Sequence, residues 1–197
     1  MPRTASYTSD QLVERALNLF WTSGYNATSM DALVAATGVS RHGIYKGYAD
    51  KHALFLACFA KYQETVVSPA FCGVEDPGAD LDAIARYFET QITAAEAAGL
   101  PGPGCFVANA ATEVAPHDRA TAALVSAHND RLRRGFRNAL RNVAPPSMAD
   151  QTLDDLAETC VVFAGGLWAM SRATPDADPL RRAVHAFLGS LKGAVQP

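Results

Sequence analysis

TGVSRHGIYKGYADK, residues 37–51, is the stretch whose reading decides the fold. Gly38 separates two short segments of helical period. The first can start at Thr28 with Asp31, is apolar at Met30, Leu33 and Val34, and stops at Gly38. The second is capped by Ser40 and runs to about Gly47, where Asp50 caps the next. Gly38 is free to take the positive φ that other residues resist, and Val39 is placed to tuck into the angle between the helices. This predicts a helix-turn-helix over about 28–48. In such a motif the second helix lies in the major groove with its N-terminal end near base edges. Ser40, Arg41, His42 and Gly43 occupy that end. Arg41 and His42 offer donors to bases or phosphates, and Gly43 allows close approach. Tyr45, Lys46 and Tyr48 fall where phosphate contacts are usual, and Thr28 at the amide end of its helix is a natural phosphate binder. Spacing alone leaves open a plain three-helix bundle with Tyr45 and Tyr48 in its core.

Outward from this stretch, almost every periodic segment has helix period, so the fold is expected to be all-α with about nine helices. Residues 10–23 carry Leu12, Ala16, Leu19 and Phe20 on one face, with a candidate capping box at Thr8 and Gln11 and a stop at Gly24. After Asp50 a fourth helix carries Leu54, Phe55, Cys58, Phe59 and Tyr62. Ser68, Pro69, Gly73, Pro77 and Gly78 mark a joint. Later helices are expected at about 81–97, 105–113, 116–143, 150–172 and 178–193, broken by GLPGPG at 99–104 and APPS at 144–147.

Composition narrows the function. The 197 residues are 49% apolar, enough for a sizeable core, and no run approaches a membrane span. MPRTASYTSD has no apolar core of a secretory signal, so a cytoplasmic protein is expected. Net charge is −3, yet residues 1–68 hold six Lys/Arg against five Asp/Glu and the remainder eleven against fifteen. That asymmetry is compatible with an N-terminal DNA contact. Cysteines at 58, 72, 105 and 160 have no metal-ligand spacing, so no metal and no cofactor are expected. No Ser-His-Asp order, phosphate loop or paired-carboxylate face argues for an enzyme. A helical adaptor without DNA affinity is a further alternative.

The N-terminal motifs resemble the DNA-binding domain of the TetR/AcrR family of bacterial transcriptional regulators. The resemblance rests on Ala16–Leu17–Asn18–Leu19–Phe20, Gly24–Tyr25, Thr28–Ser29–Met30–Asp31–Ala32–Leu33, Thr37–Gly38–Val39–Ser40, Ile44–Tyr45, Tyr48 and Asp50–Lys51. It adds Lys51 to the DNA-binding set and covers residues 8–60. Val34 stands where Ala is usual, Tyr48 where Phe is usual, and Gly47 where an aromatic or His is usual, which removes one expected phosphate-side contact. The resemblance implies a DNA-binding domain over 1–50 and an effector-binding and dimerisation domain over 51–197, with helix 51–68 as connection. It implies a homodimer on a palindromic double-stranded operator, most simply a repressor released by a small hydrophobic or aromatic effector. The pocket is expected between the fifth and eighth helices, at Phe88, Ile92, Cys105, Phe106, Asn109, Leu124, His128, Phe163 and Trp168. His128 and Asn109 also have plain structural readings, as a satisfied core histidine and a backbone tie. The dimer interface is expected on the eighth and ninth helices, at Cys160, Ala164, Gly165, Leu167, Val184, Phe187, Leu188 and Leu191. The arginines at 131, 133, 134, 137 and 141 are expected in salt bridges or on a solvated face, with one available to an anionic effector.

PGPGCFVANAATEV, 101–114, resembles a branch of the family with a Gly-Cys-x-x-x-Asn segment. Some of that branch respond to electrophiles or reactive chlorine and others to ordinary ligands. Cys105 at a helix N-terminus is then expected to have a lowered pKa, making a redox-responsive repressor, or alternatively an activator, further readings.

Overall fold

The structure, a computed structural model, describes residues 8–196; residues 1–7, where no secretory signal is expected, lie outside them. Nine helical runs and no strand are found among the described residues. The first three are α1 (Ser9–Ser23), α2 (Met30–Thr37) and α3 (Arg41–Gly47). A long α4 covers 51–75 as α-helix Lys51–Tyr62, a π turn Gln63–Val67 and α-helix Ser68–Glu75. The remainder are α5 (Leu81–Ala98), α6 (Phe106–Glu113), α7 (Arg119–Val143), α8 (Asp150–Met170) and α9 (Asp178–Val195). None is long and apolar enough to cross a membrane.

The helix starts follow from side-chain caps. Thr8, Ser29, Ser40, Asp50, Asp80 and Asp118 each accept the amide of the third helical residue. Each such cap satisfies a donor that the helix itself leaves free. At α1 the capping box is complete, because Gln11 Oε1 also accepts from the Thr8 amide at 3.0 Å. Gly24 closes α1 by donating to Phe20 O, as expected.

Three expected boundaries move. Ser29, not Thr28, caps α2, because the Thr28 hydroxyl is buried and donates to Gly24 O at 2.6 Å. The joint at Ser68–Gly78 shrinks to 76–80. Pro69 lacks an amide and crowds the carbonyl four residues back, which ordinarily breaks a helix. Here the wider π turn just before it absorbs the fault, with the Ser68 amide reaching Gln63 O, and α4 continues through Gly73. Finally, α7 starts at Arg119 and not Pro116, which lies in a 3-10 turn over Ala115–His117 followed by the Asp118 cap.

Packing makes the chain continuous from end to end. Leu12, Ala16, Leu17 and Phe20 of α1 meet Leu33, Ile44, Leu54 and Phe55, all buried. Phe106 of α6 then packs on Phe55, Phe59 and Tyr62 of α4, with ring centroids 5.0–5.5 Å apart. A second aromatic group, Phe71, Tyr87, Phe88 and Phe136, ties α4, α5 and α7 together. Such edge and offset contacts add to the burial of large apolar area.

Candidate functional site

The first candidate surface is built by the α2–α3 turn. Gly38 takes φ +71°, and its amide closes α2 on Val34 O. Val39 is 1% exposed and Ile44 fully buried, so they anchor the turn and α3 in the hydrophobic core. Thr37 Oγ1 donates to Leu33 O and accepts from the Val39 amide, while Arg15 of α1 donates to Thr37 O at 2.8 Å. With Ile44 inward, the rest of this short helix faces out. Ser40, Arg41, His42, Tyr45 and Lys46 are exposed, and Gly43 is half-buried beneath the Ser40 cap. Tyr45, at 44% exposure, is therefore not a core residue of a plain bundle. Tyr48 is half-buried, its hydroxyl 3.3 Å from Ser9 Oγ.

Three expected contact positions, and Gly47, have more specific surroundings. Arg41 pairs with Asp31 at 2.7 Å, but both side chains are more than half exposed, so the pair contributes little. Thr28 is buried, as described. Lys51 Nζ donates to Tyr25 O and Thr28 O, both at 2.9 Å, and lies 4.1 Å over the Tyr25 ring. Burial pushes its pKa down. This ammonium pins the α1–α2 turn to the start of α4, an internal task that the family pattern did not reveal. A Cβ at Gly47 would meet nothing within 4 Å, so the position is open.

The second candidate site is a cavity of about 590 Å³ lined mainly by α4 to α8 and open to solvent on one side. Its wall is mostly small and apolar: Ala94, Ala95 and Ala98 on α5, and Val161, Val162 and Gly165 on α8. Of the expected residues, Cys105, His128 and Trp168 line it. Phe88, Ile92, Phe106, Asn109, Leu124 and Phe163 stand outside the wall. Phe88, Ile92 and Phe106 are sealed in the core, Phe163 stacks on Phe187 at 4.0 Å, and Leu124 packs half-buried against the core. Asn109 Nδ2 donates to Pro103 O at 2.9 Å, the backbone tie that was its plain reading. Sequence reasoning missed Trp21, Tyr62 and Tyr87, which also line the cavity. The one available signal was the stripe Gln91, Ala94, Ala95, Ala98 on α5, where small side chains leave space.

Charge is nearly absent from the wall. Burial holds the His128 imidazole down to about 4, helped by the positive charge of Arg131, so it is neutral at pH 7. Arg131 itself is clamped by both carboxylate oxygens of Glu75 at 2.7 Å. Arg133, Arg137 and Arg141 pair with acids of α7 and α8, so none of these four stands free for an anionic effector. The Cys105 thiol is 8% exposed, and burial pushes its pKa up. The Tyr62 hydroxyl and the amides of Ala108 and Val107 offset this only in part, which corrects the expected lowering.

Cavity and N-terminal helices share atoms. Trp21 lines the cavity and its Nε1 donates to Gly104 O at 2.9 Å. Glu113, at the end of α6, accepts the amides of Tyr25 and Asn26 at 3.0 and 2.7 Å. His52 Nε2 lies 3.0 Å from Asp118 Oδ2. Asp118, held by Thr121 and by this ring, is lowered to about 2.

Residues 12–58 match the model of the bacterial regulatory proteins of the tetR family. Over its full length the chain aligns with the uncharacterized HTH-type transcriptional regulator YezE of Bacillus subtilis, at 26% identity over 198 residues, 97% of this chain and 100% of that one. Residues 12–58 are thus similar to the DNA-binding region of the tetR regulators, and the likeness to YezE continues along the rest of the chain. A second relative, the HTH-type transcriptional repressor ComR of Escherichia coli, is 33% identical over 122 residues, 58% of this chain and 54% of ComR. Among solved structures, a TetR regulator from Chloroflexus aurantiacus superposes with a TM-score of 0.78 at 26% identity, covering 93% of each chain. A cysteine variant of the TetR regulator CifR, solved with a 26-base-pair operator, shares the fold, with a TM-score of 0.81 at 21% identity over 95% of this chain and 99% of that one. Helices α2 and α3 lie inside the matched region and have the arrangement of its helix-turn-helix.

The expected dimer residues divide by depth. Cys160, Ala164, Leu167, Val184 and Leu191 are buried within the chain, Phe187 and Leu188 are half-buried, and Gly165 lines the cavity. The strongest apolar stripes of α8 and α9 thus serve the chain's own core. Met170, 58% exposed, and the exposed Ala186 and Gly189 form the outward faces, while Val162, 66% exposed, stands at the open side of the cavity.

Proposed function

We propose that this regulator is a homodimeric repressor acting in the cytoplasm, which leaves a palindromic operator when a small apolar or aromatic effector fills the cavity. The observation that carries the effector reading is the sharing of Trp21 between cavity wall and α1, with Gly104 as its hydrogen-bond partner. An occupant that displaces Trp21 or the 102–104 turn acts directly on the helix that supports α2 and α3. The Glu113 tie to the α1–α2 turn gives a second connection. Two conformations that differ in these contacts, and in effector affinity, are all that population shift requires. The functional division falls near residue 50, with α4 belonging to both parts. Dimerisation through the outward faces of α8 and α9 would set two recognition helices on successive major grooves. ComR, named as a repressor, favours repression over activation.

The DNA contacts proposed are Ser40, Arg41, His42 and Gly43 at base edges and Tyr45, Lys46 and Tyr48 at phosphates. Thr28 and Lys51 act mainly by shaping the motif, through the bonds they make inside it. Selection of genomic fragments by the purified protein is expected to enrich a palindrome. Lys46→Ala should weaken binding to every sequence alike and lower the salt slope by about one. A folded dimer that enriches nothing at low salt, or an unchanged slope for Lys46→Ala, overturns the assignment.

A second reading, an electrophile-responsive repressor, has Cys105 in the cavity wall in its favour. The raised thiol pKa makes it a slow nucleophile at rest. Stoichiometric alkylation at Cys105 that leaves operator affinity unchanged removes this reading.

A further inference from the structure

The cavity holds one hydrogen-bond donor whose direction the surrounding protein dictates. Arg131 is fixed by Glu75, and its Nη1 lies 3.2 Å from Gln63 Oε1. A guanidinium only donates, so the Gln63 atom facing it is the oxygen. The Gln63 amide nitrogen then faces His128 Nδ1 at 2.9 Å. An amide nitrogen also only donates, so Nδ1 accepts, and the neutral imidazole carries its single proton on Nε2. His128 is 7% exposed and lines the cavity, and its Nε2 has no hydrogen-bond partner among the described residues. That nitrogen is also not among the fully enclosed atoms lacking a partner, so open space adjoins it. For a buried side chain in the cavity wall, that space is the cavity.

The other polar groups complete the chemistry. Gln91 and Asn129 line the cavity as neutral amides, and Tyr62, Tyr87, Thr112 and Ser171 add neutral hydroxyls. The wall contains no Lys or Arg among the described residues, and its one carboxylate, Glu158, is paired with Arg133. An anion entering here would leave water without gaining a cation. Resting on the reading of this cavity as the effector site, we propose that the effector is an uncharged, largely apolar molecule whose oxygen acceptor, of the carbonyl class, takes a hydrogen bond from His128 Nε2–H. The chain Glu75–Arg131–Gln63 acts as a positioning device that keeps this nitrogen a donor. The π turn of α4 belongs to the same device, since it begins at Gln63 and brings Val66 and Val67 to the wall.

The test uses the full-length protein and three probes of common shape: benzophenone, diphenylmethane, which lacks the oxygen, and 2-benzoylbenzoate, which adds a carboxylate. The chain's only two tryptophans, Trp21 and Trp168, both line the cavity, so quenching of intrinsic fluorescence reports occupancy. Benzophenone is expected to bind about tenfold tighter than either other probe, the scale of one buried hydrogen bond. His128→Leu should erase its advantage over diphenylmethane and leave diphenylmethane binding unchanged. Equal binding of ketone and hydrocarbon, or tightest binding of the carboxylate, overturns the donor proposal while keeping the cavity as effector site. Absence of quenching by all three overturns the underlying reading, and the proposal with it. Nitrogen-15 spectra of imidazole-labelled, unsubstituted protein give an independent check that survives misfolding of the variant. A proton on Nε2 is expected for His128, and a proton on Nδ1 overturns the proposal whatever binds.

Discussion

The recognition helix and the cavity follow opposite construction rules. α3 is seven residues long, buries only Ile44, and offers its remaining side chains to solvent. Its chemistry lies in what is present, in consecutive positions of one short segment. The cavity is made by what is missing: alanines on α5 and valines and a glycine on α8, drawn from several helices far apart in the chain. Its polar groups are few, and His128 is oriented by a partner behind the wall. A surface of the first kind tolerates change one residue at a time. A space of the second kind, walled by packed helices, transmits each change to its neighbours, because close-packed interiors do not deform smoothly.

That contrast can be broken by substitution. The largest effect is expected at Gly104, where φ is +70° and an added Cβ would lie 2.7 Å from Trp168 O. Gly104→Ala should cost about 3 kcal/mol or more, read as a fall in Tm, because neither the backbone oxygen nor the backbone twist can yield cheaply. A near-neutral result would mean that the wall is looser than its packing implies. The next effect is pH dependence from His128. In the unfolded chain the ring titrates near 6.5, while in the folded chain burial holds it to about 4. The unfolded state therefore takes the proton first. Stability should be full above about 6.5 and fall by roughly 3 kcal/mol as pH drops toward 4, a slope absent from His128→Leu.

Glu113→Ala should have an intermediate effect. It strips the amides of Tyr25 and Asn26 of their acceptor, for about 1–3 kcal/mol in denaturant unfolding. It should also weaken the effect of any cavity ligand on operator affinity; an unchanged ligand response would confine coupling to Trp21. The smallest effect is expected on the exposed helix. Gly47→Ala meets nothing within 4 Å and should stabilise by about 0.5–1 kcal/mol, with operator affinity unaltered. A loss of affinity there would show that α3 too depends on close fit.

The sequence was most legible where a local rule decides the outcome. Helix caps at Thr8, Ser40 and Asp50, and the positive φ at Gly38, depend on residues within a few positions of each other. Thr28 misled because serine and threonine cap alike, and only burial beneath Gly24 diverts the Thr28 hydroxyl. The large aromatics Phe88, Phe106 and Phe163 were assigned to the pocket by their apolar character. In the structure they fill space, and the alanines leave it.

By itself the sequence determined the helical order, the turn that places α3 outward and the likeness of the N-terminal segment to the TetR regulators. Hydrophobic period, capping and glycine conformation act over one or two turns of chain, so they can be read along it. Only the tertiary structure decided the cavity, the capture of Lys51 by the α1–α2 turn, the elevated thiol of Cys105 and the orientation of His128. These depend on distances between residues dozens of positions apart, such as Gln63 and His128 or Trp21 and Gly104. Burial and hydrogen bonding at such places exist only once the helices have packed.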